Sequence, residues 1–517
     1  MEVEIREIAR VTDTRHKIKS LDELADIIQA LKREGNTVVQ CHGVFDLLHP
    51  GHILHLEAAK REGDILVVTV TRDEHVDKGP GRPVFNQRIR TESIAALQCV
   101  DYVAVNEWPT AVETIKKLKP DVYVKGSEYA EADITGRVYA EAEAVRSIGG
   151  QIHFTNEPAF SSSQLLNAHF HIYPEAAESF LKDFRRRYSA DDIIQRLEAL
   201  KGLKVLVIGD AIIDEYHYCK AMERAPKTLI VSTKYLSEER FAGGALAAAN
   251  HVAGFCEDVH LVTCLGNEGT HEEFILNHLK KNVTTKFFYQ DNSPTVVKRR
   301  FLEPVSLQKM FEICFYNDAD LPENTERKIC DYLRAIIQEY DIVLVADFGH
   351  GFIGQGIAEL LSEEARFLAV NTQTNSLNMG FNLITKYPSA DYVCIDEAEI
   401  RFATHNKLGN LRDIVVRIAK NLGCRRMAVT RGHEGSLTYA SGNSFFNVPV
   451  FSKEVVDTIG AGDAYLAITS PCVAAGNPMD VVGFIGNAVG ALAVRIICNK
   501  SSVEPVALFK FIATLLK

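Results

Sequence analysis

Apolar residues fall into two spacings along this chain, and the spacings alternate. Over 21–33 they recur every three or four positions among charged residues, which predicts an amphipathic helix. Residues 37–41 follow as an apolar run of strand length, then a helical pattern over 52–62 and a second apolar run over 65–70. Further runs at 102–105, 122–125 and 151–154 are separated by helical stretches. Strands alternating with helices predict crossover units on a parallel sheet.

The pattern changes over 173–201, where 178–187 and 190–200 read as charged helices. A second series begins at 204–210 and continues with apolar runs at 260–264, 342–346, 367–370, 392–395 and 427–430. Two α/β domains are therefore expected, 1–172 and 202–517, joined by a helical linker over 173–201. The length of 517 residues, too great for one core, agrees with that division. The apolar stretch 481–497 carries Asn487 and ends near Arg495, so it is expected as a buried helix rather than a membrane span.

Composition narrows the class. Apolar content of 46% and charged content of 24% are those of a soluble globular protein. A net charge of −11 argues against a nucleic-acid partner. It leaves anionic small substrates open, because local groups hold phosphates. Eleven dispersed cysteines without C-x-x-C spacing predict reduced thiols and a cytoplasmic setting. The first ten residues lack the apolar run of a signal peptide, and no membrane partner is expected.

Open parallel sheets bind ligands beyond the carboxyl ends of their strands. One candidate string lies there in the first half: Gly43-Val-Phe45-Asp-Leu-Leu-His49-Pro-Gly51-His52. A glycine turn lets backbone approach a phosphate, and a helix start favours anions. His49 and His52 read either as donors to charge on a phosphate chain or as a metal pair or surface histidines. The string resembles the signature of the nucleotidyltransferase superfamily that includes cytidylyltransferases and pantetheine-phosphate adenylyltransferases. Lys78-Gly79-Pro-Gly-Arg82-Pro83, Gln87-Arg88, Val124-Lys125-Gly126-Ser-Glu-Tyr129 and Ser161-Ser162-Ser163 follow in order. With them the first half is similar to the adenylyltransferase domain of bifunctional heptose-phosphate enzymes, which implies a Rossmann-like domain. The resemblance makes His49 and His52 catalytic. It places Gly43, Phe45, Lys78, Arg88, Lys125, Ser161, Ser162 and Ser163 around ATP or CTP. Each lone Lys or Arg reads equally as a solvated surface group. His42 stands where the heptose enzymes carry Asn, and Gln164-Leu-Leu-Asn167 lacks their basic residue.

The second half carries Asp457-Thr-Ile-Gly460-Ala461-Gly462-Asp463. Its glycines let successive N–H groups face an anion at a helix start. Read alone, the string also fits a glycine turn capped by Asp. It resembles the signature of ribokinase-like, PfkB-type carbohydrate kinases, which implies Asp463 as base for the attacking sugar hydroxyl. That resemblance implies a ribokinase-like α/β domain with a small β lid, supplied by 216–237 and 295–312, and a homodimer through that lid. Companion motifs follow in family order. Asp214 and the diglycine Gly243-Gly244 resemble the sugar site. Lys298 and Arg300, in Pro294-Thr-Val-Val-Lys-Arg-Arg300, resemble holders of a substrate phosphate, though a solvated basic pair fits them as well. Glu399, in Asp396-Glu-Ala-Glu399, resembles the residue that organises Mg²⁺ through water. Thr430, Gly432 and Gly435, with Asn487, resemble the nucleotide edge. Ala245-Leu-Ala247 lacks a sugar-contacting Asn, Asp396 replaces Asn, and Asn371-Thr-Gln373-Thr-Asn375 replaces an Asp-Pro-Lys segment.

Together the halves are similar to the bifunctional heptose-phosphate kinase and adenylyltransferase, in reversed domain order. The expectation is a kinase acting on the anomeric hydroxyl of a sugar phosphate, then nucleotidyl transfer to the 1-phosphate. The alternatives are the same chemistry on another sugar or polyol phosphate, and a non-catalytic nucleotide sensor with one decayed domain.

Overall fold

The computed structural model describes residues 13–517 except 127–136, 156–161, 170–171, 223–231, 318 and 376–377. The chain divides into two compact units, 1–172 with Lys517, and Tyr173–Leu516.

In the first unit the apolar runs form β1 (Val38–Gly43), β2 (Ile65–Thr71), β3 (Tyr102–Asn106), β4 (Val122–Gly126) and β5 (Gln151–Thr155). They make one parallel sheet in the order β3-β2-β1-β4-β5. Its middle strands are buried because helices cover them, which is why they read as continuous apolar runs. The helix Leu21–Arg33 turns Leu21, Leu24 and Ile28 inward and is closed by a Ser20–Glu23 capping box. Strand order reverses between β1 and β4, so the crevice for a ligand opens at the end of β1, where Gly43 stands.

The second unit has a nine-stranded sheet in the order β10-β9-β6-β13-β14-β15-β16-β17-β18. Its strands are β6 (Lys204–Gly209), β9 (Asp258–Gly266), β10 (Val283–Gln290), β13 (Ile342–Asp347), β14 (Leu368–Thr372), β15 (Tyr392–Asp396), β16 (Arg426–Thr430), β17 (Ser436–Ala440) and β18 (Ser444–Val448). Strands from β10 to β16 run parallel, as expected. The last two do not: β16–β17 and β17–β18 pair antiparallel, because their connections are too short for a crossover helix. A separate four-stranded sheet, β12-β11-β7-β8, is made of β7 (Ala211–Ala221), β8 (Thr233–Gly244), β11 (Val296–Leu302) and β12 (Lys309–Phe315). This is the lid, and part of the segment expected to supply it lies outside the described residues.

The stretch 173–201 is helical, at Glu175–Phe184 and Ala190–Glu198. These helices pack within the second unit instead of standing free as a linker. Phe184 stacks on Phe484 at 4.4 Å between ring centroids, Arg187 pairs with Asp480, and Arg196 donates to Asn477. The apolar stretch near Asn487 is the helix Met479–Ala493, buried on nearly every side. Among the described residues no helix is long and apolar enough to cross a membrane. All eleven cysteines are free thiols.

Candidate functional sites

In the first unit, chain direction must change sharply where β1 ends. Phe45 takes a left-handed backbone (φ 50°), and its ring edge would sit 3.0 Å from a Cβ at Gly43. His49 caps the helix Pro50–Lys60, its Nδ1 accepting from the His52 N–H at 3.3 Å. The two imidazoles stack with centroids 3.8 Å apart, and Phe45 meets the His52 ring edge-on at 5.2 Å. Burial, helped by the charge of Lys78, depresses the basicity of both rings, His52 to about 3. Both are therefore neutral donors near neutral pH, placed at a helix start where phosphate oxygens are favoured.

This turn is held by residues to which the sequence motifs assign no separate role. Asp46 accepts from the N–H groups of Val84 and Phe85 at 2.8 and 3.0 Å, and pairs with fully buried Arg82 at 3.3 Å. Arg90, buried as well, donates to the carbonyls of Val44, Thr71 and Phe85 and pairs with Asp73. Arg88, the expected ligand, lies instead on the outer face of the same helix, paired with Glu92 and 79% exposed. The helical phase carries the explanation: Arg90, Thr91, Ile94 and Ala95 share the buried side. Lys125 reaches the sheet end but is engaged by buried Glu141 at 2.8 Å. Burial acts to raise Glu141, but the Lys125 ammonium, His42 and the Tyr123 hydroxyl together outweigh it, so the carboxyl titrates below its ordinary range. Ser162 opens the helix Ser162–His169 and Ser163 is buried within it, while Ser161 and Tyr129 lie outside the described residues. No third His, Cys, Asp or Glu joins the histidine pair as a metal cluster among the described residues.

In the second unit the glycine string forms the entry to the helix Ala461–Ala474. Gly460 is left-handed (φ 84°), with Asn499 Oδ1 2.2 Å from where a Cβ would stand. Open space lies above Gly462. Asp463, one residue into that turn, is only 7% exposed. Burial lifts its carboxyl to about 7, against the hydrogen bond it accepts from Gln373. Asp457 ties the turn to the lid, accepting from Tyr216 Oη and Lys309 Nζ, each at 2.6 Å. The lid also brings in Asp214, paired with Arg300, which binds Glu312 in addition. A Cβ at Gly243 would fall 2.0 Å from Asp214 Oδ2, so the diglycine is what lets β8 pass the acid. Lys298 is buried, lies over the Phe348 ring at 5.9 Å and acts on Asp463 by its charge. It has no carboxylate partner among the described residues.

Along the far edge, Glu399 accepts from the N–H groups of Thr374 and Asp396, completing a capping box with Asp396. Burial raises Glu399 to about 7, with Asp396 and Asp463 adding to the effect. Thr430 donates to Asp396 at 3.4 Å. Gly432 (φ 52°) and Gly435 (φ 89°) form the tight connection to β17, and a Cβ at Gly435 would meet the Val448 carbonyl at 2.1 Å. Asn487 spends its amide on Ser436 and the Val448 carbonyl, so it braces this edge from within.

Comparison with known proteins matches a pfkB family carbohydrate kinase model to residues 203–497 and a cytidylyltransferase-like model to residues 41–196. The protein named Bifunctional protein HldE from Syntrophotalea carbinolica is 39% identical over 138 residues, covering 26% of this chain and 27% of that one. That of Geobacter metallireducens is 41% identical over 143 residues, covering 27% and 28%. The chain thus spans little more than a quarter of the length of these curated relatives. Among solved structures, Thermotoga maritima ribokinase aligns with a TM-score of 0.48 at 20% identity, over 60% of this chain and 99% of that one. Escherichia coli phosphofructokinase-2 with fructose-6-phosphate aligns with a TM-score of 0.49 at 15% identity, over 61% and 100%.

Proposed function

The chain belongs to the pfkB family of carbohydrate kinases, and on that premise we propose that it makes a nucleotide-activated sugar in two steps, one in each unit. The second unit transfers the γ-phosphoryl group of ATP to the anomeric hydroxyl of a sugar phosphate resembling heptose 7-phosphate. The hydroxyl oxygen attacks phosphorus, ADP leaves, and Asp463 takes the hydroxyl proton. The N–H groups at Gly460, Ala461 and Gly462 receive the transferring group, and Lys298 adds positive charge. The first unit then joins the sugar 1-phosphate to the α-phosphorus of ATP or CTP, with pyrophosphate leaving. His49 and His52 donate to the phosphate oxygens, and positioning carries most of the catalysis.

The observation that carries this reading is the buried Asp463 in the first turn of the helix that the glycine string opens, with Lys298 acting on it by charge and in no carboxylate ion pair among the described residues. Glu399 fits a Mg²⁺ ion held through water: its carboxyl is raised by burial and by two neighbouring acids, a strain that a cation relieves. Such an ion neutralises charge on the triphosphate. The lid's outward residues Tyr235, Phe311, Ile313 and Phe315 are exposed and apolar, which supports a homodimer through that face. A different sugar or polyol phosphate is the second reading, favoured by Ala245-Leu-Ala247 and by Gln373 in place of a cation.

The test is a mass-spectrometric screen of sugar phosphates with ATP and with CTP. ADP and a doubly phosphorylated sugar, then pyrophosphate and a nucleotide-linked sugar, are expected from one substrate. Turnover of none of them contradicts the reading.

A further inference from the structure

We propose that Gln373 is a positioning residue for the kinase step, its side-chain amide holding one oxygen of Asp463 so that the other faces the acceptor hydroxyl. This rests on the kinase reading above and names a residue that the glycine signature does not include. Gln373 Nε2 donates to Asp463 Oδ1 at 2.6 Å. A carboxylate otherwise rotates about its last bond, and a base is effective only when its lone pair is aimed.

The amide is itself fixed. The Gln373 N–H donates to the Asp347 carbonyl at 2.8 Å, and the Gln373 carbonyl accepts from Asn382 at 3.3 Å. Asn382 also donates to Asp347, while Asn375 and Asn378 both donate to the Phe348 carbonyl. Asparagines thus stitch the segment after β14 to the end of β13, and the Gln373 side chain leaves that platform toward Asp463. A neutral donor also has an electrostatic consequence. Asp463 is acted on by Asp214 from β7, Lys298 from β11, Cys394 from β15 and Glu399 from the helix Glu397–Thr404. Burial lifts it to about 7, close to the working pH at which a general base is most effective. A cation in place of Gln373 would pull that value down and weaken the base.

The experiment uses the full chain carrying aspartate labelled with ¹³C at its carboxyl carbon, with the Asp463 signal identified by its disappearance in Asp463→Asn. In Gln373→Leu the Asp463 midpoint is expected to rise by about one pH unit, and in Gln373→Lys to fall below that of the intact protein. With the sugar phosphate found by the screen, kcat falls about tenfold or more in Gln373→Leu while KM for ATP stays within about twofold. The acid limb of its pH profile, where the base takes up its proton, moves with the carboxyl midpoint. Gln373→Asn, too short to reach, is expected to behave like Gln373→Leu and guards against loss of folding by the bulkier changes. An unmoved midpoint in Gln373→Leu, a shift of the same sign in Leu and Lys variants, or an unchanged kcat overturns the proposal. If the intact chain turns over no sugar phosphate, the functional reading fails. The carboxyl titration still decides then whether Gln373 holds Asp463.

Discussion

Burial raises the Asp463 carboxyl to about 7 in the folded chain, against about 4 when unfolded. Between those values the folded protein keeps a proton that the unfolded chain has released. The stability tied to this group is therefore fully present below about pH 4 and is lost as pH rises through about 7. Asp463→Asn is expected to melt several degrees above the intact protein at about pH 8 and nearly with it at about pH 4. Melting curves across that range check this, and an equal gain at both ends contradicts it. The places of His49, His52 and Asp463 were legible because their strings set them at glycine turns before helices. Arg90 was not, because reading it required the phase of its helix, and Arg88 two positions earlier faces solvent. Gln373 gives no signal in composition or spacing, since its meaning comes from Asp463, 90 positions away in sequence.

Among the elements, most of the parallel strands were legible to within a residue or two, because burial on both faces makes the central ones apolar runs. The pair β17–β18 and strand β10 were missed. β17 and β18 are short and mix polar with apolar residues, β10 is largely half-exposed, and no α-helix separates β16 from β18. That hairpin depends on Gly435, whose backbone is left-handed and whose Cβ position lies 2.1 Å from the Val448 carbonyl. Gly435→Ala is expected to lower the melting temperature of the second unit and weaken ATP binding together. The left-handed strain alone costs about 1–2 kcal/mol. Gly462→Ala is expected to leave the melting temperature unchanged, since nothing lies within 4 Å of its Cβ position. It should lower kinase turnover because the methyl group enters the space of the transferring phosphoryl group. Calorimetry and ATP titration separate the two. If both glycines behave alike, the distinction between a turn that needs glycine and one that leaves room for a ligand is wrong.

At the scale of the whole chain, the change of pattern at 173 coincides with the division between compact units, while the charged helices after it belong with the second. Phe184 against Phe484, and Arg187 and Tyr188 against Asp480, are contacts that a cut near Ser189 would strip away. Fragment 173–517 is expected to melt cooperatively and above fragment 190–517, with 1–172 folding on its own, because each unit is long enough to bury a core. Equal melting of the two longer fragments would mean that the helix Glu175–Phe184 adds nothing to the second unit. The proposed function requires one chain to carry two separate phosphorus chemistries, each with its own site. The most direct measurement compares ADP and pyrophosphate release by Asp463→Asn and His52→Ala, each supplied with the sugar phosphate or with its 1-phosphate. Asp463→Asn should lose ADP formation by at least about a hundredfold yet release pyrophosphate normally from the 1-phosphate. His52→Ala should do the reverse. Loss of both products in either variant, or retention of both, would contradict two independent sites.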